Sequence, residues 1–149
     1  MKSQVSLILG GVLSGSLLPV QAALNAELGD AVKHPIFAAF ASFAVGTLAL
    51  LAYLLIVGFD FKTAGLAREA PRSVWLAGIL GAFYVSATII LAPRLGTALT
   101  FSLIVLGQMS ASLVLDHFGW LGLQVQSINW QRFAGAGCLV MGVILIRKY

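Results

Sequence analysis

The chain reads as all-α: a polytopic membrane protein of five transmembrane helices. Three observations carry that expectation. Of its 149 residues, 60% are hydrophobic and only 9% charged, against roughly 25% charged in a soluble domain. The apolar residues fall into five stretches, at about 4–27, 36–58, 74–92, 97–116 and 132–147, of a length to compare with the ~20 residues that carry a helix across ~30 Å of hydrocarbon. The most polar connection, 59–73, has only the length of a long loop, so residues 1–149 read as a single membrane domain with no extramembrane module.

The first segment opens with Met1-Lys2 and an apolar run that reaches Gln21-Ala22-Ala23, which has the outline of a signal peptide. The helical pattern continues through Leu24, Asn25 and Leu28, so the segment is expected to be retained. Gly11 and Gly15 form a small-xxx-small pair that admits a close neighbour. Pro19 is expected to kink the helix and free backbone carbonyls. Segment two follows Pro35, a good first-turn residue, and is the most uniformly apolar. Segment three carries Gly78 and Gly81 as packing positions and is expected to end in a turn at Pro93-Arg94-Leu95-Gly96. Segment four ends at Asp116-His117-Phe118-Gly119-Trp120. Segment five is short, and its small residues around Gly135 suit it to pack closely on another helix. Trp75, Trp120, Trp130 and Tyr149 fall where aromatic side chains anchor at the headgroups.

Polar side chains inside such segments need a partner helix or a wet cavity, because hydrocarbon offers no hydrogen bond. In segment one Gly11, Ser14, Leu18, Gln21 and Asn25 recur at spacings of three and four, which places them on one face. Gln21 and Asn25 are two amides one turn apart. Segment four repeats the pattern with Thr97, Thr100, Gln108, Ser112 and Asp116, and Gln108 is the most central amide of the chain. Tyr84 and Thr88 lie one turn apart on segment three. The expected solute contacts are therefore Gln21, Asn25, Tyr84, Thr100, Gln108 and Ser112, on segments one, three and four. The competing role for each is interhelical fastening. Glu27 and Asp116 fall at segment ends, where solvated carboxylates are expected, and no acid lies deep enough to carry protons.

The remaining chemistry narrows the class. The net charge of +4 comes from basic residues scattered at segment ends, where they snorkel to headgroups, so no nucleic-acid partner is expected. Cys138 is alone, and His34 and His117 sit at opposite sides with no cysteine or paired acid nearby, so no metal or other cofactor is expected. No strand-borne phosphate loop and no catalytic constellation appears, so the chain does not read as an enzyme.

An odd number of spans puts the termini on opposite sides. Lys2, Lys62, Arg68, Arg72 and Arg132 then share one face, and Lys33, Arg94, Arg147 and Lys148 the other. Five against four is too even to fix an orientation. No internal repeat is visible, whereas many transporters consist of two inverted halves with the solute site between them. One half is present here, and an inverted second copy of the chain, or a paralogous chain, would complete it.

Several motifs occur together and in order: Gly11 and Gly15 before Pro19-Val20-Gln21-Ala22-Ala23-Leu24-Asn25, Phe43 followed by Gly46-Thr47, Gly78 and Gly81-Ala82-Phe83-Tyr84, Pro93-Arg94-Leu95-Gly96, Gly107-Gln108, and Asp116-His117-Phe118-Gly119. This pattern resembles the YdcZ-type family of the drug/metabolite transporter superfamily, five-helix bacterial inner-membrane exporters whose substrates are mostly unassigned. The resemblance implies one half of a ten-helix inverted-repeat fold and assembly as an antiparallel homodimer in the lipid bilayer. Small four-helix relatives use a membrane-embedded acid in the first helix, and only Glu27, near the helix end, is available here. The expected function is secondary transport, as an exporter of a small metabolite or amphipathic compound. A non-transporting scaffold or accessory subunit, and half of a heterodimeric transporter, are the alternatives.

Overall fold

A computed structural model describes residues 2–149; Met1, the start of the signal-peptide-like stretch, and the side chains of Lys2 and Ser3 lie outside the described residues. Among the described residues there is no strand, and five α-helices account for most of the chain: α1 Lys2–Ala31, α2 Pro35–Ile56, α3 Leu76–Leu95, α4 Thr97–Phe118 and α5 Trp130–Lys148. Helices α1 to α4 are long and apolar enough to cross a membrane. Helix α5 has 19 residues, but Arg132 and Arg147 confine its uninterrupted apolar run to 133–146. That run rises only about 21 Å.

The chain divides into two compact units, Met1–Pro93 and Arg94–Tyr149. In the first unit, α1 extends beyond its expected end at residue 27 and spans 30 residues. It stops in a Schellman-type turn. Lys33 takes φ 56°, the His34 amide donates to the Gly29 carbonyl at 2.9 Å, and the Val32 amide donates to Leu28 at 3.0 Å, so the last carbonyls are satisfied. His34 then starts α2: its Nδ1 accepts from the Phe37 amide at 3.3 Å, and Pro35 opens the helix, where its missing N–H costs nothing. Pro19 lies inside α1, where it deprives the Gly15 carbonyl of its usual donor.

Where α1, α2 and α3 meet, the side chains are small. Ala38 and Ala39 of α2 are buried with Val85 and Ile89 of α3, and Tyr84 packs against this cluster. A Cβ placed on Gly29 would lie 3.3 Å from Pro35 Cα, 3.6 Å from Ile89 Cγ2 and 3.7 Å from Ala38 Cβ. Gly29 is therefore the residue that lets α1 approach α2. At Gly81 of α3 a Cβ would sit 3.4 Å from the Phe43 ring, an ordinary van der Waals contact, so the glycine packs on Phe43 without being required there. Thr88, also buried, returns its hydroxyl to the Val85 carbonyl at 2.7 Å.

The expected turn at Pro93 is corrected by the structure. Pro93 lies within α3, which continues to Leu95. The ring forfeits only the bond to the Ile89 carbonyl, which the last turn tolerates. Gly96, at φ 82° and ψ 148°, is what separates α3 from α4.

In the second unit α4 closes on Gly119 in the left-handed conformation, φ 61°. A Cβ there would also come within 2.6 Å of Val125 Cγ2 and 3.2 Å of the Leu123 carbonyl, so only glycine fits. The chain then passes through a short 3-10 turn, Trp120–Gly122, and runs extended along the end of α4. The Gln126 amide donates to the Asp116 carbonyl at 2.8 Å and the Ile128 amide to His117 Nδ1 at 3.2 Å. Asn129 caps α5, its Oδ1 accepting from the Arg132 amide at 2.9 Å. Helices α4 and α5 pack on each other along this unit.

Candidate solute site

Besides an open apolar groove of about 520 Å³ at Val32, His34, Ile36, Phe37 and Phe40, two neighbouring cavities lie wholly within the first unit. One, of about 500 Å³, is walled by Leu17, Leu18, Val20 and Leu24, with Gln21, Asn25 and Ser42 as its polar groups. The other, of about 230 Å³, is lined by Gln21, Ser42, Thr47 and the apolar Phe43, Leu50 and Val85. Gln21 and Ser42 border both. The larger is an open groove, its walls Leu17, Val20 and Leu24 each more than half exposed; its volume lies in the ~300–1,000 Å³ range of small-molecule sites, and apolar walls with a few polar groups are the usual pattern.

The helical register explains this polar edge. Gln21 and Asn25 are one turn apart on α1 and share a face. Gln21 is exposed, while Asn25 is only 8% exposed, and its Nδ2 has no hydrogen-bond partner among the described residues. On α2, Thr47 donates its hydroxyl to the Phe43 carbonyl at 2.8 Å. That bond leaves the Thr47 oxygen able only to accept.

Helix α2 was not among the segments expected to line a site. Its Ser42, Gly46 and Thr47 are set in an otherwise apolar helix, so average hydropathy conceals them. The signal available in the sequence was their recurrence at four and five residues beside the Phe43–Gly46–Thr47 motif.

The other expected contacts are placed as follows. Tyr84 is partly buried, and its hydroxyl has no partner among the described residues. Thr100, on α4 in the second unit, is 1% exposed with its Oγ1 equally unpartnered. Among the described residues, Asn25, Tyr84 and Thr100 thus supply the buried side-chain polar atoms left without a hydrogen bond. Gln108 is exposed on α4. Ser112 is exposed too and borders a cavity of about 290 Å³ in the second unit, together with Met109, Leu113, Asp116, Arg132 and Gly135. Of the expected packing glycines, Gly81 meets Phe43, whereas Gly11, Gly15, Gly78 and Gly135 have no side-chain neighbour within 4 Å of where a Cβ would be. Their faces are open in the single chain.

Asp116 departs from the solvated end expected of it. Its carboxylate is about one-third exposed and accepts from Arg132 Nη1 at 3.2 Å. The same guanidinium donates to the Gln126 carbonyl at 3.1 Å and to the Gln126 side chain. Both residues face the cavity that Ser112 borders.

The family model described as "Putative inner membrane exporter, YdcZ" matches residues 6–145, almost the whole chain. Comparison with curated proteins and with solved structures gives no match.

Proposed function

The chain belongs to the YdcZ family, whose model is described as an inner membrane exporter, and on that premise we propose that it is a secondary transporter that exports a small metabolite or amphipathic compound. The observation that carries the reading is the cavity pair of the first unit, where amides and hydroxyls from α1 and α2 border space inside otherwise apolar helices. Polar groups used only to fasten helices would be expected to meet one another. Asn25 Nδ2 is enclosed but has no hydrogen-bond partner among the described residues. Gln21 and Asn25 are the proposed contacts in this unit; Tyr84, Thr100, Gln108 and Ser112 are proposed as further contacts along the transport cycle.

The working unit in this reading has ten helices. Helix α5 crosses as the fifth span, its terminal arginines reaching the two headgroup layers. One chain is then half of an inverted-repeat fold, completed by a second copy inserted the other way up, and rocking of the two copies exposes the site to each side in turn. The near-equal distribution of basic residues supports insertion both ways up, and the open faces at Gly11, Gly15 and Gly135 suit them to an intermolecular contact.

The test is solute export. Cells overproducing the wild-type chain should enrich at least one small molecule in their medium, read by untargeted mass spectrometry, and the Gln21→Leu/Asn25→Leu variant, inserted at equal level, should lose that enrichment. Identical media from the two would end the proposal.

A further inference from the structure

We infer that the two cavities bordered by Gln21 and Ser42 take an uncharged amphipathic solute that presents a hydrogen-bond acceptor, such as an amide or ketone oxygen, to Asn25. This deepens the transporter reading and rests on it.

The first ground is what the walls lack. No Lys, Arg, His, Asp or Glu lines either cavity. An ion moved out of water into such a site finds no opposite charge to offset its lost hydration. Glu27 and Asp30 lie on the same helix but are exposed, and Glu27 is about 200° around α1 from Asn25. A neutral molecule loses far less on entering.

The second ground is what the walls offer. Asn25, which borders the larger cavity, holds a buried amide N–H₂ with no acceptor; a ligand oxygen relieves that unfavourable state once the neighbouring side chains shift to admit it, because the nitrogen itself has no open surface. Thr47 has already given its proton to Phe43, so its oxygen complements a donor on the same solute. Around these groups the surface is aliphatic and aromatic, with Leu17, Leu24, Phe43 and Leu50 among the lining residues. Gln21 and Ser42, which border both cavities, add an amide and a hydroxyl that can each donate and accept, and these few polar groups among apolar walls describe a ligand with a polar end and an apolar body.

A matched set of probes tests this: benzamide, benzoate and benzylamine share a ring and differ in charge. Their binding to the detergent-solubilised full chain is followed by ligand-observed NMR titration at roughly millimolar concentration, as suits fragments of this size. Benzamide should bind at least about tenfold more tightly than either ion, and Asn25→Leu should weaken it by about tenfold, the scale of one lost hydrogen bond. Asn25→Asp, nearly identical in shape, should transfer the preference to benzylammonium, which guards against a Leu variant that merely misfolds. The inference is overturned if a charged probe binds the wild type as well as benzamide does, or if none of the three binds. It is equally overturned if Asn25→Leu changes the oligomeric state on size exclusion, which would show a second copy covering Asn25. Preference for a charged probe removes only the solute class and leaves the transporter reading standing, whereas neutral binding with unchanged export media removes transport and leaves the site.

Discussion

Arg132 Nη1 lies 3.2 Å from Asp116 Oδ2 and joins the last turn of α4 to the first turn of α5. Arg132 also holds the backbone and side chain of Gln126, so the guanidinium ties the connection at Gln126 to both helices. The two side chains are about one-third exposed, so the charge pair alone should be worth at most ~1 kcal/mol. Asp116→Asn should therefore cost about 0.5–1 kcal/mol, and Arg132→Met roughly twice that, since it also frees Gln126. Thermal melts of the solubilised protein read both, and equal costs would show that the Gln126 bonds contribute nothing.

Asn25→Leu should raise thermal stability while lowering export. A buried N–H₂ without a partner costs about 1–3 kcal/mol, and an apolar group of similar size removes that penalty. A lowered melting temperature would mean that Asn25 is holding the fold together.

Gly29 and Gly11 should respond oppositely to bulk. Gly29→Leu must push Pro35 and Ile89 apart and should cost ~2 kcal/mol or more. Gly11→Leu meets open space in the single chain, so it should leave the melting of the monomer unchanged and weaken only a dimer that uses this face. Melting curves with cross-linking in membranes separate the two effects.

Lys33→Gly should stabilise the α1–α2 turn by up to about 1 kcal/mol, because Lys33 sits at φ 56°, where a Cβ is strained. It also leaves five basic residues facing three. Reporters fused after Tyr149 should detect both orientations of the wild type and one dominant orientation of the variant. A single orientation in the wild type would contradict the inverted pair.

Helices α1 to α4 were legible because apolar runs of membrane length dominate the sequence; α5 coincides with the fifth apolar stretch, but its run is shorter than those. Their ends were less legible, because caps are set by three-dimensional detail. The stop of α1 depends on a non-glycine left-handed residue, Lys33, which no pattern announces. Pro93 punctuates the sequence as a turn, yet Gly96 three residues later carries the break. At the site, the α1 face of Gln21 and Asn25 could be read from spacing alone. Ser42 and Thr47 were concealed, because two hydroxyl residues in an otherwise apolar helix barely lower its average hydropathy.

Helix α5 has one further consequence. If its 133–146 run spans the bilayer, it must do so across about 21 Å, well short of the ~30 Å of a typical hydrocarbon core. The lipids around it would have to compress, at a fraction of a kcal/mol per Å of mismatch. Reconstituted activity should then depend on acyl-chain length, with short-chain lipids favouring it and long-chain lipids suppressing it.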